Sequence, residues 1–161
     1  MERSKKIVLV SHCILNQNTV VNPLARANGA YVDIVTELMK NGIGIHQLPC
    51  PEYRYLGLKR EPMTKEQFDT EAFRSLNKSI SKDTVNVVKE YINNGYDVIG
   101  IIGINESPTC SINGEKGILM EELLHELEKE EIKLKLIDVP TDYHDGTQAK
   151  DFIKALNSFI E

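Results

Sequence analysis

Residues 96–104 read "YDVIGIIGI". An unbroken apolar, isoleucine-rich run of this length fits a central strand of a parallel sheet, because helices cover both of its faces. A helical pattern carrying Val85, Val88 and Ile92 precedes it and stops at Gly95. After the turn "NESPTCSINGEKG" (105–117) a second amphipathic pattern follows, with Ile118, Leu119, Leu123, Leu124 and Leu127 on one face. A helix, an all-apolar strand and another helix in succession form part of a repeating β-α-β pattern.

Working outward, "KKIVLVSH" (5–12) and "IGIHQLP" (43–49) predict two more strands. "IKLKLIDVP" (132–140) alternates in polarity, as a half-exposed edge strand does. "AYVDIVTELMKNG" places Tyr31, Ile34, Val35, Leu38 and Met39 on one helical face, with Asn41-Gly42 as its stop. "TKEQ" (64–67) is a capping box that opens a helix before the Val85 pattern. The stretch "CPEYRYLGLKREPM" between them reads as irregular. Phe152, Ile153, Leu156, Phe159 and Ile160 make the apolar face of a closing helix. The expectation is one α/β domain over 1–161, a small Rossmann-like three-layer sandwich. Its four-stranded, mostly parallel sheet would take the order 2-1-3-4.

Composition narrows the partners. The 161 residues carry 19 basic and 24 acidic side chains, net −5, with no Lys/Arg-rich block, which argues against a nucleic-acid polymer as partner. The apolar runs are strand-sized, so no membrane partner is expected. "MERSKK" leads into a strand pattern without an apolar signal region, and the expected compartment is the cytoplasm. Composition leaves the choice between monomer and homodimer open.

Three cysteines, at 13, 50 and 110, are too few and too scattered for a disulfide framework or a CxxC zinc ribbon. Each follows a predicted strand, and in a parallel sheet those strand ends share one edge, where ligands bind. Neighbouring strands lie about 4.8 Å apart, so loops from three of them bring their thiols together. Three thiolates suit zinc with a further ligand or water, or an iron–sulfur cluster with one open iron. Spacing alone does not choose between these. Cys50 stands in "PCPE" beside Glu52, and Cys110 in "SPTC" three residues after Ser107.

Taken together, "SHCILNQN", "CPE" and "SPTC" resemble the thiouracil desulfidase family (TudS-type, formerly a domain of unknown function). The family pattern is a strand followed by Cys, then Cys-Pro-Glu, then Ser-Pro-Ser/Thr-Cys, in this order. The resemblance implies a [4Fe-4S] cluster on Cys13, Cys50 and Cys110, with the fourth iron open to the sulfur of a small thiolated molecule. It also implies that Glu52 and Ser107 act in a non-redox removal of that sulfur. The chain departs from the pattern after the first cysteine, where "ILNQNTVVNPLARANG" replaces the usual "LLG" and "RYDG"-like segment. Asn105-Glu106 stand where a Lys is common, and Ser111 where a Gly is usual. These changes mark a divergent, desulfidase-like relative with an altered substrate.

Substrate-side candidates are His12, Asn16, Asn105 and Ser111, with Gln17 as a second amide. Arg54 and Arg60 are candidates for pairing with an anionic substrate, and Tyr143, His144 and Asp145 for closing the pocket. Two other readings stand beside the enzyme. One is a non-catalytic iron–sulfur module for sulfur storage or sensing; the other is a Rossmann-like nucleotide-binding protein with structural cysteines.

Overall fold

The computed structural model describes residues 1–161 apart from the Gln148 side chain. Strands β1 (Lys6–Val10), β2 (Gly44–Gln47), β3 (Asp97–Ile104) and β4 (Lys135–Val139) form one sheet. All pairings are parallel and the order is β2-β1-β3-β4, as the sequence predicts. Every residue of β3 after Asp97 is buried, which explains its continuous apolar run. β4 exposes its first half, as an edge strand does.

The helices are α1 (His12–Leu15), α2 (Val32–Lys40), α3 (Pro51–Leu56), α4 (Lys65–Phe68), α5 (Glu71–Asn93), α6 (Ile118–Lys129) and α7 (Lys150–Ile160). From β1 the chain steps outward to β2, then crosses back to β3 and on to β4. Right-handed crossovers therefore send α2 to one face and α5 and α6 to the other. In agreement, α5 packs on α6, and α2 packs with the returning α7. Ile34 and Leu38 of α2, Val88 of α5, Leu123 of α6 and Leu156 of α7 all enter the core around the sheet.

The capping box at Thr64 and Gln67 is present and opens a helix ahead of the Val85 pattern, as the sequence predicts, although that helix, α4, has only four residues. α5 is a separate helix of 23 residues, capped by Thr70, whose hydroxyl accepts from Phe73 N. Buried Asn77, Ser81 and Thr84 interrupt its apolar stripe, which is why its first half is hard to see in the sequence. The segment after Cys50 is helical rather than irregular. Pro51 stands at the first position of α3, and the Cys50 sulfur accepts from Tyr53 N at 3.4 Å.

Gly103 admits the turn that follows β3. A Cβ there would lie 2.5 Å from both the Cys110 carbonyl oxygen and Asp138 Oδ1. Gly103→Ala is expected to cost about 1–3 kcal/mol of stability, read as a lowered midpoint in urea unfolding.

Candidate functional site: a three-cysteine pocket at the switch point

β1 and β3 are neighbours whose following connections leave in opposite directions, so a crevice opens beyond their C-terminal ends. A cavity of about 350 Å³ occupies that position. It is lined by all three cysteines together with His12, Glu52, Asn105 and Ser107. Val20, Val21, Leu24, Pro62, Met63 and Ile104 supply apolar wall. Cys13 lies three residues past the end of β1, Cys50 three past β2 and Cys110 six past β3, so all three reach this edge.

Each cysteine is placed by a different device. Ser11 N bonds Ile102 O at 3.0 Å, tying the end of β1 to β3, and Cys13 falls in the first turn of α1. Cys50 is the cap residue of α3. Cys110 sits in a turn that folds back on its own strand, with Ile104 N bonding Cys110 O at 3.1 Å. Ser107 Oγ organises that turn by accepting from Cys110 N at 3.0 Å and Thr109 N at 3.3 Å. Asp138 at the end of β4 holds the far side, accepting from Ile112 N and, at 2.7 Å, from Asn113 N. Burial pushes the Asp138 carboxyl up, and these amide donors pull it down.

The thiols are electrostatically aware of one another. Burial pushes the Cys13 thiol far up, and negative charge on Cys110 and Cys50 would push it further. Burial likewise raises Cys50, and it raises Cys110 to about 12, with Cys50 contributing. The Ser11 hydroxyl lies beside Cys110 and is wholly buried without a satisfied hydrogen bond. Among the described residues, no three His, Cys, Asp or Glu side chains stand close enough as they are to hold one bare ion. The thiols share a pocket, not a ready coordination sphere.

Glu52 is buried beside them and engaged at both oxygens. Thr109 Oγ1 donates to Oε2 at 2.8 Å, and Arg60 Nε approaches Oε1 at 3.4 Å. Arg60 is itself almost wholly buried, and its other nitrogens donate to Thr19 O at 2.7 Å and Gly57 O at 3.1 Å. Arg60 is thus a structural partner of Glu52, while Arg54 lies outside the cavity lining.

The substrate-side candidates divide. His12 lines the cavity with Nδ1 3.2 Å from Thr19 Oγ1, and burial followed by Arg54 lowers its pKa. Asn105 also lines it. Asn16 does not: its side chain accepts from Asn18 N at 3.1 Å and caps the 3-10 turn Gln17–Thr19. Ser111 is buried inside the cysteine turn, accepting from Glu106 N and donating to Asn113 O, and does not reach the cavity. Gln17 is a brace, donating to Cys13 O and accepting from Arg26 N, both at 2.9 Å.

Tyr143 and Asp145 serve the scaffold instead of closing the pocket. Tyr143 donates to Asp145 at 2.7 Å, and Asp145 accepts from Val32 N and Asp33 N, capping α2 from across the molecule. His144 is exposed. Two lining residues carry no sequence signal of their own, Arg26 and Thr109. Arg26 donates to the carbonyls of Pro140 and Thr141 and lies over the Tyr31 ring. Thr109 was legible only as the variable residue of "SPTC".

Fold and site together define a small parallel α/β protein with a cysteine-lined pocket at its switch point. The chain is 45% identical to "Uncharacterized protein MJ0003" of Methanocaldococcus jannaschii over 159 residues, 99% of each chain. It belongs to the same family as that archaeal protein. No family model and no solved structure matches the chain. No helix among the described residues is long and apolar enough to cross a membrane.

Proposed function

We propose that this protein is an iron–sulfur-dependent desulfidase that removes sulfur from a small thiocarbonyl compound without net redox change. The observation that carries the reading is the shared pocket of Cys13, Cys50, Cys110, Glu52 and Ser107, residues from three separate loops. The donor set fits a [4Fe-4S] cluster: three thiols are available, and the unsatisfied Ser11 hydroxyl beside Cys110 would find a sulfur acceptor there. When bound, such a cluster supplies a Lewis-acidic iron for a soft thiocarbonyl sulfur. Apolar wall residues Val21, Leu24 and Met63 suit the faces of a planar heterocycle. Glu52 takes a proton from the attacking water, and Ser107 holds and moves protons at Oγ. The overall change is thiocarbonyl plus water giving carbonyl plus hydrogen sulfide, which balances without an electron donor.

The test is anaerobic reconstitution with ferrous iron and sulfide. The expected product is brown, contains iron and acid-labile sulfide in equal amounts, and releases sulfide from at least one of 2-thiouracil, 4-thiouracil and 2-thiocytosine. Cys110→Ser should lose the colour and the iron while remaining folded by circular dichroism. A wild-type protein that stays colourless and iron-free overturns the proposal.

A further inference from the structure

Glu52 and Ser107 stand on different loops, and Ser107 has no direct hydrogen bond to Glu52; Thr109 lies between them. Ser107 Oγ accepts two main-chain N–H groups, from Cys110 and Thr109, so its own hydrogen must point elsewhere. Its nearest side-chain acceptor is Thr109 Oγ1 at 3.4 Å. That hydroxyl in turn spends its hydrogen on Glu52 Oε2 at 2.8 Å, the shortest contact Glu52 makes. Thr109 is 1% exposed, so water does not compete for it. The hydrogens therefore run one way, from Ser107 through Thr109 to Glu52. Ser107 lines the cavity and is half-buried, whereas Glu52 is the more enclosed group.

We propose that Thr109 is a positioning residue that links Ser107 to Glu52 and fixes the carboxylate that takes the water's proton, an inference that rests on the desulfidase reading of this pocket. As water attacks the thiocarbonyl carbon, Glu52 takes one of its protons on a carboxylate that Thr109 Oγ1 fixes at Oε2. Ser107 donates to Thr109 and so sets the direction of that hydroxyl's hydrogen. Glu52 then returns the proton to the departing sulfur.

Two measurements on Thr109→Val and Thr109→Ser test this. The first is the infrared carboxylate band of Glu52, assigned by its loss in Glu52→Gln and read on protein without added iron. Thr109→Val should shift the band and Thr109→Ser should leave it in place. The second is sulfide release by reconstituted protein. Thr109→Val should lower kcat about 10- to 100-fold with KM and iron content unchanged, and Thr109→Ser should recover most of the rate. An unmoved band, or a Val variant as active as wild type, overturns the link while leaving the desulfidase reading intact. A wild-type protein that holds iron but releases no sulfide overturns that reading and the link together.

Discussion

Glu52→Gln is expected to lower the rate of sulfide release by about 10²–10⁴-fold in reconstituted protein, with iron and sulfide content unchanged. The expectation follows from what glutamine keeps. Its carbonyl oxygen can still accept from Arg60, and its amide can donate to the Thr109 hydroxyl, so both contacts of the native side chain survive with one reversed. Volume is unchanged, and the Glu52 side chain bonds Arg60 and Thr109, not a cysteine sulfur. Basicity alone is lost. The measurement pairs initial rates of sulfide release with an iron assay on the same sample. A variant as fast as wild type would leave Glu52 without a chemical role.

Arg60→Met is expected to cost about 3–5 kcal/mol of stability, the usual consequence of stranding one partner of a buried ion pair. Glu52 would keep only the Thr109 hydroxyl, and the carbonyls of Thr19 and Gly57 would lose their donor. Methionine fills much the same length, so the loss reports the guanidinium and not a cavity. Urea midpoints check it. The double variant Arg60→Met with Glu52→Gln should recover a large part of the loss, because the stranded carboxylate is then gone. If the double variant is as unstable as the sum of both singles, the pair contributes little and Arg60 acts through its backbone contacts.

These expectations rest on features of unequal legibility. The β3 run announced a buried central strand because a parallel strand has no wet face, so its sequence carries the whole signal. α5 was legible only in its second half, where Val85 and Val88 are not diluted by buried Asn77 and Ser81. α3 carried a readable mark, proline at the first helical position after a cap, but a capping sulfur in place of an oxygen obscured it. Asn16 and Ser111 are polar residues next to cysteines. Their side chains satisfy neighbouring backbone groups, as short polar side chains in turns do, and this occupies them away from the cavity.

Sequence by itself determined four strands alternating with helices and the placement of Cys13, Cys50 and Cys110 just past three strand ends. Both follow from local periodicity, which acts over a few residues at a time. Only the tertiary structure decided which neighbours join those cysteines. Thr109 meets Glu52 across 57 positions, Arg60 reaches Thr19 across 41, and Arg26 anchors on Pro140 across 114. Such contacts arise when packing brings loops from separate strands to one edge. No spacing along the chain encodes which hydroxyl or guanidinium will arrive there.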